Sequence, residues 1–327
     1  MGRHHDKSPE ITKREREKRE RERQMADSSG YKEYVAGLLA GVATVAIGHP
    51  FDTIKVKMQK HNTVAHGITY RNSFHCTARI LKTEGIKGLY RGATSSFVGM
   101  AFESSLLFGM YSQMKQSLQG SAQGAGPQLQ VIIPSAAYSG AIISFILCPS
   151  ELVKCRMQVQ GTDSLVPMSR RYDSSLDCAL KTVKNDGVRG IFRGGFTTLL
   201  RESIGNAVFF SIYEHVRYHM HLHLKSASPD HRNLIDVGVG IASGGLGGIA
   251  FWSAVLPLDV AKTIIQTAPD NSSSRNPFQV LSSIYRRAGL KGCYVGLGPT
   301  IVRAFPANAT AIVAWEVAVK LLGIKRD

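Results

Sequence analysis

Long apolar segments alternate with polar segments along most of the chain. Three of them carry almost no charge and have about the length of a helix that spans a bilayer. These three segments cover residues 34–51, 131–149 and 237–257. After a polar stretch, each is followed by a second apolar segment, and the second segments cover 93–111, 197–213 and 300–319. The pattern predicts an all-α membrane protein with six transmembrane helices in three tandem pairs. An even number of spans puts both termini on one side of the membrane.

A short motif closes the first apolar segment of each pair. It consists of a Pro, an acid two residues later, a base three residues after the acid, and a Gln nine residues after the Pro. The three copies are Pro50/Asp52/Lys55/Gln59, Pro149/Glu151/Lys154/Gln158 and Pro257/Asp259/Lys262/Gln266. At ordinary residue usage the Pro, acid and base occur at this spacing about once per thousand positions. Three spaced copies therefore indicate three tandem repeats.

A second motif follows each first motif at a similar distance. It begins with an acid and Gly and ends in an aromatic residue, a base and Gly. The copies are Glu84-Gly85 with Tyr90-Arg91-Gly92, Asp186-Gly187 with Phe192-Arg193-Gly194, and Ala288-Gly289 with Tyr294-Val295-Gly296. The third copy has lost both its acid and its Arg. With both motifs in threefold repetition, the chain from about residue 31 resembles the mitochondrial carrier family, and within it the plant-type basic amino acid (arginine and ornithine) carriers.

The resemblance implies repeats at 31–120, 128–222 and 232–322 with pseudo-three-fold symmetry. It also implies short matrix helices near 72–83, 173–185 and 277–288. Residues 1–30 carry dense charge of both signs, and we expect a disordered extension there.

The three acids and three bases of the first motif are expected to meet. Proline inside a helix removes a backbone hydrogen bond and kinks the axis, so the last turns of the first helices swing toward one another. The resemblance implies a ring at the matrix end made of Asp52 with Lys154, Glu151 with Lys262, and Asp259 with Lys55, braced by Gln59, Gln158 and Gln266. Ordinary helix-end ion pairs are the alternative. Such pairs contribute only about 0.2–1 kcal/mol when wet, which suits a gate that a ligand can open.

An opposite, cytoplasmic gate is expected on the second helices. The family carries an aromatic residue, an acid and a base there, and only Tyr213/Glu214/Arg217 matches fully. The other two copies, Tyr111 with Lys115 and Glu316 with Lys320, are incomplete. We therefore predict a weaker network on this side, formed by Glu316 and Lys115.

Four ionisable residues stand at membrane depth and are the candidate substrate site. Arg201 and Arg303 each follow a Gly of the second motif by seven residues, about 10 Å into the bilayer. Glu202 is adjacent to Arg201, and Glu103 lies one turn deeper in the first repeat. Ionisable groups at this depth mark a pathway, although a structural Glu–Arg pair is the alternative. Asn206 and Asn308 are further candidate polar contacts for the substrate, ranked below the four ionisable residues.

Two carboxylates and two guanidinium groups suit a ligand that carries both signs. Arg can bind an α-carboxylate bidentately, while the acids accept an ammonium or a cationic side chain. We predict transport of arginine, ornithine and lysine, with histidine or citrulline as further candidates, across the mitochondrial inner membrane by alternating access, as an exchanger. A carrier of another zwitterion such as carnitine or acylcarnitine, or a non-transporting membrane scaffold, remains the alternative.

Other features of the sequence add little chemistry. The formal charge of +16 suits nucleic acid, but the bases are scattered between helices and equally suit anionic lipid heads. The five Cys have no metal-ligand spacing, and His219, His221 and His223 are typical of a solvated helix end. No nucleotide or nucleophile motif is present. We therefore expect no enzyme activity, no cofactor, no metal and no nucleic acid partner, and we expect a monomer with cardiolipin as a bound lipid.

Overall fold

The computed structural model describes residues 35–36, 38–62, 69–119, 126–161, 171–225, 232–268 and 275–322. The extension predicted at residues 1–30 lies outside these ranges. Inside them, a few side chains are also outside the description, and these include Glu103, Asn308 and Glu316. The predictions made for those three residues stay predictions.

Long and short helices follow one another in a regular order. The long helices are α1 (38–62), α3 (Ala93–Gln119), α4 (Leu129–Val159), α6 (Gly195–Lys225), α7 (Arg232–Thr267) and α9 (Leu297–Leu321). The short ones are α2 (Ser73–Leu89), α5 (Ser175–Ile191) and α8 (Pro277–Cys293). No strand occurs in the described ranges, so the predicted all-α fold of three helix pairs linked by short helices is confirmed.

The long helices run beyond the apolar segments that predicted them. Pro149 lies inside the 31 residues of α4 and Pro257 inside the 36 residues of α7. A proline removes one hydrogen bond without ending either helix, so the acid and base after it stay on a continuous helical surface. By length and composition, α4 and the Gly238–Thr267 part of α7 are apolar enough to cross a membrane.

Each short helix has a polar start and a glycine reversal near its end. The N-cap side chains of Asn72, Ser174 and Asn276 accept hydrogen bonds from backbone amides of the first turn. Gly85, Gly187 and Gly289 have φ values of 67°, 68° and 63°. Glycine reaches this conformation without steric cost, so the chain can turn and then continue as a second short helical segment.

The chain divides into two compact units, Met1–Thr44 with Ala307–Asp327 and Val45–Pro306. In the first unit, Ala36 packs with Ala318 and Leu322. In the second unit, α4 and α6 approach very closely at Gly140. A Cβ atom on Gly140 would lie 2.4 Å from the carbonyl oxygen of Glu202. Small residues allow such close approach between helices in lipid.

Candidate functional site

Three ion pairs join the helices that carry the Pro motif. Lys154 Nζ lies 2.6 Å from Asp52 Oδ2 and joins α4 to α1. Lys55 Nζ lies 2.8 Å from Asp259 Oδ2 and joins α1 to α7, and Lys262 pairs with Glu151 to join α7 to α4. The six side chains therefore form a closed circuit, called here the ion-pair ring. These are the three pairs that the resemblance implied, and their role as a gate stays a prediction.

Each acid of the ion-pair ring also contacts a second cation. Arg201 Nη2 lies 2.6 Å from Glu151 Oε1, and Arg201 Nη1 lies 3.3 Å from Asp259 Oδ1. Arg303 donates to Asp52. Both arginines were predicted as substrate residues, which stays a prediction, and in this structure both also pair with acids of the ring. A guanidinium at this depth needs a counter-charge, and the ring acids are within its reach.

Glu202 and Asn206 stand beside Arg201 on α6. The guanidinium of Arg201 pairs with the Glu202 carboxylate, and Asn206 Nδ2 donates to Glu202 Oε2 at 3.1 Å. All three side chains are buried. Three of the predicted substrate residues thus form one polar cluster that touches the ion-pair ring through Arg201.

The charges in this region nearly balance. Five cations face four carboxylates, an excess of one positive charge among the described side chains. The cations are Lys55, Lys154, Lys262, Arg201 and Arg303, and the carboxylates are Asp52, Glu151, Glu202 and Asp259.

Trp252 is a site residue that the sequence analysis missed. Lys55 Nζ lies 3.8 Å from the centroid of its ring, so the ammonium group is held between the indole face and Asp259. Such a cation–π contact contributes about 0.5–2 kcal/mol. The available signal was the position of Trp252 near Pro257 on a predicted spanning helix.

The three motif glutamines differ in their contacts. Gln59 Nε2 donates to Asp259 Oδ2 at 3.0 Å, and Gln59 Oε1 accepts from Thr263 Oγ1. Gln158 Nε2 instead donates to Thr53 Oγ1 at 3.2 Å. Neither amide atom of Gln266 has a hydrogen-bond partner in the described part of the chain. Among the described residues, Gln59 thus contacts a ring side chain, whereas the predicted bracing of the ring by Gln158 and Gln266 is not observed. The hydroxyl of Thr53 offers Gln158 a partner outside the ring.

The network on the second helices includes a pair that was not predicted. Lys115 Nζ lies 2.6 Å from Glu214 Oε1, and Tyr111 donates to the same oxygen at 3.0 Å. The predicted pairing of Lys115 with Glu316 stays a prediction, because the Glu316 side chain lies outside the description. The contact with Glu214 follows from packing, because the Tyr111 ring stacks on Phe210 with centroids 3.7 Å apart and brings α3 against α6.

Two further residues of the predicted cytoplasmic gate contact each other on α6. Arg217 Nη1 donates to Tyr213 Oη at 3.4 Å on the surface of α6. Lys320 is exposed on α9.

A buried acid outside the predicted site ties repeat 1 to repeat 2. Lys57 Nζ lies 2.5 Å from Glu84 Oε1, and the two side chains are 2% and 1% exposed. Arg91 Nη1 lies 3.3 Å from Glu84 Oε2 and donates to the carbonyl of Gln160 at 2.7 Å. Glu84 therefore joins α1 and α2 to the end of α4.

The equivalent positions hold a longer, more exposed ion pair in repeat 2 and apolar residues in repeat 3. In repeat 2, Arg156 Nη2 lies 3.6 Å from Asp186 Oδ2, and the Asp186 side chain is 20% exposed. In repeat 3 the base is replaced by Ile264, which packs with Val260 and Ile284, and the acid is replaced by Ala288.

We predict that Glu84→Gln lowers the free energy of unfolding by about 3 kcal/mol, because it leaves the buried Lys57 ammonium without a full counter-charge. The matched variant Asp186→Asn removes a longer and more solvent-exposed ion pair and should lower the free energy of unfolding by about 1 kcal/mol. Thermal unfolding of the two purified variants in detergent measures the difference. Equal losses of stability would contradict the assignment of Glu84 as the stronger link.

Comparisons with known proteins place the chain in a family. Residues 26–122, 129–224 and 235–326 each match the family model described as mitochondrial carrier protein. The chain is 69% identical over 297 residues to the mitochondrial arginine transporter BAC1 of Arabidopsis thaliana, covering 91% of this chain and 96% of that protein. It is 33% identical over 297 residues to the mitochondrial basic amino acids transporter of Rattus norvegicus, with 90% and 91% covered. It is 34% identical over 312 residues to a mitochondrial carnitine/acylcarnitine carrier-like protein of Arabidopsis thaliana, with 91% and 100% covered. The chain belongs to the mitochondrial carrier family.

Proposed function

We propose that this protein exchanges basic amino acids, arginine first among them, across the mitochondrial inner membrane by alternating access. The observation that carries the proposal is the buried cluster of Arg201, Glu202 and Asn206 beside the ion-pair ring. It offers a guanidinium and a carboxylate side by side, which suits a ligand that carries both signs. The names of the Arabidopsis and rat relatives support the same substrate class.

An amino acid with a cationic side chain would use both kinds of group. Its α-carboxylate binds Arg303 or Arg201, and its ammonium or side-chain cation binds Glu202. Glu103, predicted at the same level, supplies a second carboxylate. A dicarboxylate or a nucleotide would meet these acids with its own negative charge and be repelled.

Substrate binding would loosen the ion-pair ring through its second cations. Arg201 bridges Glu151 and Asp259, and Arg303 contacts Asp52, so a carboxylate that takes either guanidinium leaves the ring acids with fewer partners. A ligand shifts a two-state equilibrium only by its differential affinity for the two states. Contacts to Arg201 and Arg303 provide such a difference, because those arginines are shared between the ring and the substrate.

This sharing also favours exchange over uniport. The ring must lose ion pairs when the substrate site opens toward the matrix, and a bound substrate offsets that loss. An empty carrier has no such compensation, so its conversion between the states open to the two sides of the membrane would be slow.

Lipid contacts are proposed at the starts of the second helices. Gly92 and Gly194 both have φ of 80°, and α3 and α6 begin at the residues that follow them. Backbone amides at a helix N-terminus attract phosphate, so the headgroup of cardiolipin suits these positions. We propose a monomer as the transporting unit.

Uptake of labelled arginine by liposomes that contain the purified protein tests the proposal. We expect saturable uptake that is faster into liposomes loaded with arginine, ornithine or lysine than into empty ones. External lysine and ornithine should compete, with histidine and citrulline tested alongside, whereas carnitine and neutral amino acids should compete poorly. Absence of saturable arginine uptake, or stronger competition by carnitine than by unlabelled arginine, would overturn the proposal.

A further inference from the structure

The motif prolines leave backbone carbonyls without helical partners. A proline has no amide hydrogen, so the carbonyl four residues before it loses its hydrogen bond. For Pro50 this carbonyl belongs to Ala46, and for Pro257 it belongs to Ser253. In a spanning helix such a group needs a partner inside the protein, because lipid offers none.

Two tyrosines of the second motif supply those partners. Tyr90 Oη donates to the Ala46 carbonyl at 2.8 Å, and Tyr294 Oη donates to the Ser253 carbonyl at 3.3 Å. Each Tyr is the residue that ends the short helix of its repeat. Each bond thus ties the turn before the Pro to the junction between the short helix and the second spanning helix of the same repeat.

Repeat 2 has the same arrangement without the hydroxyl. Phe192 occupies the position of the two tyrosines, and the carbonyl four residues before Pro149 belongs to Phe145. The three aromatic side chains are exposed to nearly the same extent, 39% for Tyr90, 40% for Phe192 and 39% for Tyr294. Phe192 is therefore as exposed as the two tyrosines and ends the short helix of its repeat as they do, but its side chain cannot donate a hydrogen bond.

Two further bonds strengthen the junction in repeat 1. His49 Nε2 contacts the Arg91 carbonyl at 2.8 Å, and Thr53 Oγ1 donates to the Leu89 carbonyl at 2.7 Å. In repeat 2 the corresponding residues are Cys148 and Leu152, and the Leu152 side chain cannot donate. In repeat 3 they are Leu256 and Val260, which cannot donate.

We propose that Tyr90 and Tyr294 are positioning residues that hold α1 and α7 in the shape that closes the ion-pair ring, and that Phe192 leaves α4 the least restrained of the three. A spanning helix changes direction most easily at its proline, so ring opening requires movement there. A hydrogen bond that fixes the turn before the proline favours the closed ring. The inference rests on the proposed role of the ring as the matrix-side gate.

The ratio of the external to the internal KM for arginine tests the inference. With the ring closed, the site is reached from the external side, and the apparent affinity on each side scales with the population of the state open to it. Loss of one neutral hydrogen bond shifts such an equilibrium about two- to tenfold. Tyr90→Phe and Tyr294→Phe should each raise the KM ratio by this factor, and Phe192→Tyr should lower it by a similar factor.

The controls separate positioning from ordinary stabilisation. Tyr138→Phe removes a hydroxyl from another exposed tyrosine, on α4, and should leave the KM ratio unchanged. The KM values are measured in liposomes in which protease protection has established the orientation of the protein. A lower unfolding temperature in Tyr90→Phe and Tyr294→Phe with an unchanged KM ratio would overturn the inference, as would an increased ratio in Phe192→Tyr.

A second measurement does not depend on transport. Cys155 is buried on α4 next to Lys154, so its thiol should react with a maleimide faster when the ring opens. With the other four cysteines replaced by Ser, Tyr90→Phe should speed this reaction about two- to tenfold and Phe192→Tyr should slow it. Unchanged rates in both would overturn the inference. If wild-type protein fails to carry arginine but the rates shift, only the proposed substrate is wrong.

Discussion

Replacing Glu202 with Gln is expected to lower arginine uptake about 100-fold while the protein stays folded. The Glu202 side chain is buried, accepts from Asn206 and pairs with Arg201. Hydrogen bonds to a charged group contribute about 1.5–3 kcal/mol, and the upper value corresponds to about 100-fold. An amide keeps the shape of the side chain but cannot neutralise a cationic substrate group, so binding should suffer far more than folding.

Asp177 provides the matched control for this substitution. It lies on the short helix α5 outside the spanning segments, where a hydrogen bond from Lys181 holds the pKa of its carboxyl below the usual range. Asp177→Asn therefore also replaces an ionised acid with an amide, but far from the candidate site. Saturation kinetics should be normal in Asp177→Asn. Unchanged kinetics in Glu202→Gln would refute the role of Glu202 in substrate binding.

The fold could be predicted from the sequence because helices in lipid have a strong signal. A spanning helix needs about 20 apolar residues, and the repeated Pro motif marks the same point in three of them. The spacing of acid and base on one helix, with the resemblance, also gave the three pairs of the ion-pair ring. These contacts depend on the repeated motif and on its place in each repeat, both of which are visible in the chain.

The contacts between different motifs could not be predicted in the same way. The sequence gives no sign that Arg201 reaches Glu151 and Asp259, because these residues belong to different helices and different motifs. The pairing of Lys115 with Glu214 follows from aromatic stacking between α3 and α6, and this stacking cannot be inferred from the sequence. Buried ions find counter-charges by three-dimensional proximity, and several acids were available to each base.

The second cations change how the ring should respond to substitution. Each ring lysine pairs with one ring acid, whereas each acid holds a lysine and an arginine. Removing an acid thus takes a counter-charge from two cations at once, and removing a lysine leaves an acid that keeps its arginine. The repeats are alike in the motif residues, but the acids contribute more to the stability of the closed ring than the bases do.

The pair Asp52 and Lys154 makes this difference measurable. Asp52→Asn removes the carboxylate charge that Lys154 and Arg303 share, at a cost of about 2 kcal/mol for these partly buried groups. Lys154→Gln leaves Asp52 paired with Arg303 and should cost about 1 kcal/mol. The ratio of external to internal KM for arginine should therefore rise about 30-fold in Asp52→Asn and about fivefold in Lys154→Gln. Equal effects of the two variants would show that Arg303 does not support the ring, and the sharing of Arg303 between ring and substrate would then be wrong.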